Sequence, residues 1–354
     1  MNAAGVDQIV NAVLYEGYML YPYRPSVKTR QRWTFGGLHP RSYSESQGGS
    51  DAWAMQTECL VQGGERTTLQ VKVRFLHLMD RTVGELDRPQ KELRDGAEPA
   101  FRLVQTLRVG ERLLTAWQEV IEREVALDEG EIGVLLRGPR RCEFAFPAGR
   151  QLEPVCGPNG DIVAVFVREQ QAVAGLVEVS ASPAAEGLFR VRVRIENHTP
   201  LVASGKSRDE ALLRALISTH TVLGVRDGGF VSLLDPPEAW RDLAASCENV
   251  GTWPVLVGKG GETDTVLSSP ITLYDYPQIA PESPGDLFDG LEIDEILTLR
   301  ILSLTDEEKR EAAAVDDRVR ALLARTESLA REQLLGLHGT VRGLRPVSEE
   351  AAHD

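Results

Sequence analysis

His220 and Cys247 are side chains of the types that form an activated nucleophile. An imidazole beside a thiol can draw off its proton, and a neighbouring group such as Asp227 or Asn249 would orient the ring. The same residues fit a plainer reading. His220 falls in helical register with Leu213, Leu216 and Ile217, and Cys247 with Trp240, Leu243 and Ala244. Both therefore read as core positions near helix ends, where cysteine packs as a small hydrophobe. His198 follows Glu196-Asn197 in an expected turn and is the freest imidazole. With Asp275 it forms the candidate metal-ligand pair. His39, in Gly36-Gly37-Leu38-His39-Pro40, is expected to be exposed, and His77 reads as a satisfied core histidine of a strand.

Carboxylates gather between Asp275 and Glu295: Asp275, Glu282, Asp286, Asp289, Glu292, Asp294 and Glu295. They are hard oxygen ligands, but DGLEIDE lacks the alternation of a calcium-binding loop. An Asp289 cap followed by acidic residues in a first helical turn accounts for much of the cluster. The opposite charge gathers near the start, where Tyr15, Tyr18, Tyr21 and Tyr23 precede Arg24, Lys28, Arg30, Arg32 and Trp33. Guanidinium groups stack on aromatic rings and fork onto anions, so this segment is a candidate docking patch. Alternatively, the tyrosines cover a sheet edge with the arginines lying over them, or the segment pairs with the acidic stretch of its own chain. The expected contact groups are Tyr21, Arg24, Arg30, Arg32 and Trp33, with Asp286, Asp289, Glu292 and Glu295.

The chain has no GxGxxG, Walker-type, HExxH or GxSxG motif, and Gly258-Lys259-Gly260-Gly261 reads as a hairpin turn. No cofactor is predicted. Its 4 cysteines are dispersed, which disfavours a zinc site, a disulfide framework or an iron–sulfur cluster and points to a reducing cytoplasm. A net charge of −14 argues against nucleic acid and against an anionic membrane surface. No apolar run reaches membrane-spanning length, and Asp7 and Glu16 interrupt the first apolar stretch.

These groups must be positioned by a chain of 354 residues with 42% hydrophobic content, enough for two substantial domains. Alternation at Trp53–Val61 and again at Leu69–His77, with Gly63-Gly64 between, predicts a β-hairpin. Asp80–Pro99 reads as a long surface loop, and Leu113–Val125 as a strand. Cys142, Phe144 and Phe146 open another strand. The Pro158–Asp161 turn leads into a central strand at Ile162–Val167, and Val177–Ala181 with Phe189–Ile195 makes a further hairpin. Arg190, Arg192 and Arg194 mark the outer face of its second arm. From Thr199 the pattern changes. Ser207 with Glu210 is a capping box, and Asp235 before Pro236 is a second helix start. Thr252–Val257 reads as a strand and Ile271–Tyr274 as another; Thr305 with Glu308 begins a C-terminal helix.

The expected architecture is α+β. Residues 1–198 form a mainly antiparallel β-sandwich or barrel-like domain, 199–304 a smaller mixed domain, and 305–354 a helical extension.

Three blocks carry a resemblance: NAVLYEGYMLYPYRPSVKTRQRWTFGGLHP, STHTVLGVRDGGFVSLLDPPEAW and SSPITLYDYPQIAPESPGDLFDGLEIDEILTLR. Through them the chain, from about Val10 to Arg342, resembles uncharacterised bacterial proteins encoded beside actinobacterial-type [NiFe]-hydrogenases. The resemblance implies a role in hydrogenase production, maturation or assembly, with a hydrogenase subunit or maturation protein as partner. It assigns no catalytic residue. An accessory scaffold is the leading expectation. The rival is a metal- or cysteine-dependent enzyme with His198, His220, Cys247 and Asp275 in an interdomain cleft.

Overall fold

One strand organises the molecule. In the computed structural model, which describes residues 7, 9–11, 14, 36–93, 98–202, 207–277, 301–302, 304–306, 309–310 and 317–328, β1 runs from Ala54 to Gln90 without a break. The hairpin expected around Gly63-Gly64 does not form. The chain passes straight through as a bulge, between the pairs Gly63↔Gly228 and Thr68↔Arg226. The Thr67 hydroxyl secures it, accepting from Gly64 N–H at 3.0 Å and donating to Asp227 O at 2.8 Å. Gly228 is required opposite, because a Cβ there would lie 2.7 Å from Gln62 O. Two adjacent glycines thus mark a bulge inside one strand, an outcome that local pattern does not separate from a turn. Asp80–Pro99 is likewise not simply a loop: β1 continues to Gln90, and β2 (Phe101–Val104) returns along it.

The remaining strands are β3 (Thr106–Val109), β4 (Arg112–Thr115), β5 (Trp117–Glu131), β6 (Arg140–Phe146), β7 (Gly149–Cys156), β8 (Ile162–Gln170), β9 (Val173–Ala185), β10 (Leu188–Asn197), β11 (Ile217–Val231), β12 (Trp253–Leu256) and β13 (Thr265–Ser269). All pairings are antiparallel. One sheet of 11 strands has the path β12-β13-β11-β1-β10-β9-β6, with β2, β5 and β8 also on β1 and β7 on β8; β3 and β4 pair separately. The path ends at β12 and β6 without closing, so the barrel-like alternative is set aside. The protein is mainly antiparallel β with few short helices. The sheet runs across the expected boundary at 198/199, since β11, β12 and β13 join the strands that precede it.

The length of β1 lets one sheet bend over its own core. β10 pairs with residues 54–62 and β5 with 68–81. The β6 rings of Phe144 and Phe146 each pack 5.9 Å from Phe75 in the middle of β1. Val71, Val73, Val177, Val193 and Leu223 fill the same core. Burying each such side chain contributes about 1.5–3 kcal/mol. The reverse face of β1 is covered in places too: Leu76 and Leu78 cluster with Leu14, Leu212 and Ile217. β8, apolar along most of its length, is buried on both faces between β1 and β7, as a central strand should be.

Helices are accessory: α1 (Arg41–Ser46), α2 (Ile132–Arg137), α3 (Arg208–Leu212), α4 (Arg241–Ala245) and α5 (Asp317–Glu327). The Ser207–Glu210 capping box is present at α3. That helix stops at Leu212, however, and the following apolar residues enter β11, so His220 lies in a strand and not at a helix end. Asp235 caps no helix; its N–H donates to Ser232 Oγ at 2.8 Å, and a 3₁₀ turn begins after Pro237. Ile271–Tyr274 forms no strand, and Ile271 and Leu273 instead pack beside Val255 and Leu267.

Candidate functional site

The start of β1 lies at the base of an open groove of about 500 Å³. α1 supplies Ser44 and Glu45, and the turn at Gly48-Gly49 leads to Trp53, Ala54, Met55 and Gln56; Arg194 of β10 and Val250 complete the lining. Met55 is buried in the core, and Trp53, just before β1 begins, stays partly exposed. The Arg41 guanidinium sits 4.4 Å from the Trp53 ring and that of Arg194 5.7 Å from it. Arg41 also pairs with Glu45 at 2.7 Å and Arg194 with Glu196 at 2.6 Å. Burial works to raise the Glu196 carboxyl, but hydrogen bonds from Arg194 and His198 outweigh it and hold the group below the usual carboxylate range.

One wall of the groove is a strap, residues 248–250, zipped to the edge of β1. Gln56 N–H donates to Val250 O at 3.1 Å, and Val250 N–H donates back to Gln56 O at 2.8 Å. Side chains reinforce this: Glu58 N–H donates to Asn249 Oδ1 at 2.8 Å, and Glu248 N–H to Glu58 Oε2 at 2.9 Å. Asn249 is thereby committed to β1 and orients no imidazole.

The sequence-derived candidates are dispersed. His220 is fully buried in β11, its Nδ1 2.9 Å from Ser218 O. Burial pushes its pKa down to about 4, with Arg74 adding to the effect. Cys247 packs against Trp240, Leu243 and Ala244, and burial pushes its thiol up. The two share no hydrogen-bond partner, and each is shifted away from the charged form that a thiolate–imidazolium couple needs. His198 Nε2 is 2.8 Å from Glu196 Oε2. Asp275 is engaged with main chain instead of a metal-ligand partner. Its Oδ1 accepts Leu256 N–H at 2.7 Å and its Oδ2 accepts the Ser232 hydroxyl at 2.5 Å. Tyr276 N–H then donates to Leu256 O at 2.7 Å. His39, expected on the surface, is 2% exposed and lies beside Tyr43, with its pKa lowered by burial. His77 is a buried strand histidine bonded to Gln171 O at 2.8 Å. Among the described residues, no group of three or more His, Cys, Asp or Glu is placed to hold a metal ion. Tyr21, Arg24, Arg30, Arg32, Trp33, Asp286, Asp289, Glu292 and Glu295 lie outside the described residues.

The groove itself has no signal in the sequence. Trp53 reads there as the first residue of an alternating strand and Arg194 as one of an outward row. Their meeting with Val250 depends on long-range pairing that no local pattern encodes. Compared with known proteins, the chain matches no protein-family model, and none of the curated proteins is similar to it.

Proposed function

We propose that the chain is a non-enzymatic accessory protein that acts by surface contact in the assembly or maturation of a [NiFe]-hydrogenase. The observation that carries the contact reading is where the aromatic and basic segment joins the body. Residues 15–35 start after Leu14, which clusters with Ile217 of β11. They end at Gly36, whose carbonyl accepts Thr219 N–H of the same strand at 3.0 Å. Gly36 is pressed against Pro270, so closely that a Cβ would lie 2.5 Å from its ring. Both ends of the most cation- and tyrosine-rich stretch are therefore fixed to β11. The acidic stretch follows the Asp275–Tyr276 clip, so it too departs from a fixed point. The hydrogenase context comes from the resemblance of the three sequence blocks.

Affinity purification of the tagged chain from a host grown under hydrogenase-inducing conditions tests this reading. Co-purification of a hydrogenase subunit or maturation protein is expected, and its loss on joint Arg24→Glu and Arg32→Glu substitution. Recovery of neither component, or equal recovery with the substituted chain, would overturn it.

A further inference from the structure

We draw no further inference here: the strongest candidate, the open groove at the start of β1 where Arg41 and Arg194 lie over Trp53, carries nothing, because both guanidinium groups are already paired within the chain, with Glu45 and Glu196, and nothing in the structure shows what would fill it.

Discussion

The Asp275 carboxylate accepts the backbone N–H of Leu256 at 2.7 Å and so closes the outer edge of β12. Pro254 contributes by having no N–H to offer, and Tyr276 N–H occupies Leu256 O. An edge strand with free amides invites pairing with another chain, and these three residues remove that invitation. Asp275→Ala should destabilise the fold by about 1–3 kcal/mol, the cost of an unmet buried donor. Asp275→Asn should recover most of this, since its amide oxygen can still accept. Urea unfolding checks the loss, and light scattering should show more self-association for the alanine variant only.

The β1 bulge gives a second expectation. Thr67 is 1% exposed, and its hydroxyl bonds both Gly64 N–H and Asp227 O. Thr67→Val keeps the shape and deletes both bonds, so it should cost about 1–3 kcal/mol. Thr67→Ser keeps the bonds and should cost less. Chemical denaturation of the pair separates hydrogen bonding from packing.

Much of the strand content is legible in the sequence because Val177–Ala181 and Phe189–Ile195 carry their alternation locally and Ile162–Val167 is a short, nearly continuous apolar run. Continuity is not legible. Gly63-Gly64 carries the same signal in a bulge as in a hairpin, and only Thr67 and Gly228, one of them distant in sequence, decide between them. The position of His220 is hidden for a related reason. Leu212 and Leu216–Ile217 satisfy a helical register, but α3 ends at Leu212 and pairing with β1 takes over. Asp275 reads as a ligand because a carboxylate committed to a main-chain amide has no distinguishing mark in sequence.

The buried imidazoles set a pH response. Burial pushes His77 and His220 down to about 4 in the folded chain, against 6.5 for an unperturbed histidine. The unfolded state therefore takes up protons first on acidification. The stabilisation is complete above about pH 6.5 and drains away as pH falls from there toward about 4. Each histidine should account for on the order of 1–3 kcal/mol of loss across that window. Unfolding at about pH 7 and about pH 5 should show a steeper loss for the parent than for a His77→Gln, His220→Gln chain.

A last prediction concerns the ion ladder on β5, β1, β8 and β7. Glu119 accepts Arg81 at 2.8 Å and Arg168 at 2.6 Å, and Arg168 also reaches Glu153. Arg81 lies 4.7 Å from the Phe166 ring and is 6% exposed, so it has little access to water. Glu119→Leu strips the shared carboxylate from two poorly solvated cations and should cost about 3–5 kcal/mol. Glu153→Leu, at the more exposed end, should cost under about 1 kcal/mol. Thermal melts of the two variants give the comparison.

The span of β1 also dictates when the chain can acquire its shape. Met55 pairs with Ile195, and Leu60 with Arg190 on one side and Val231 on the other. During synthesis at about 5–20 residues per second, the strand must wait on the order of ten to thirty seconds for those neighbours to emerge. Through that interval residues 54–62 lack both strand neighbours, so slow, cool expression should raise the yield of folded chain.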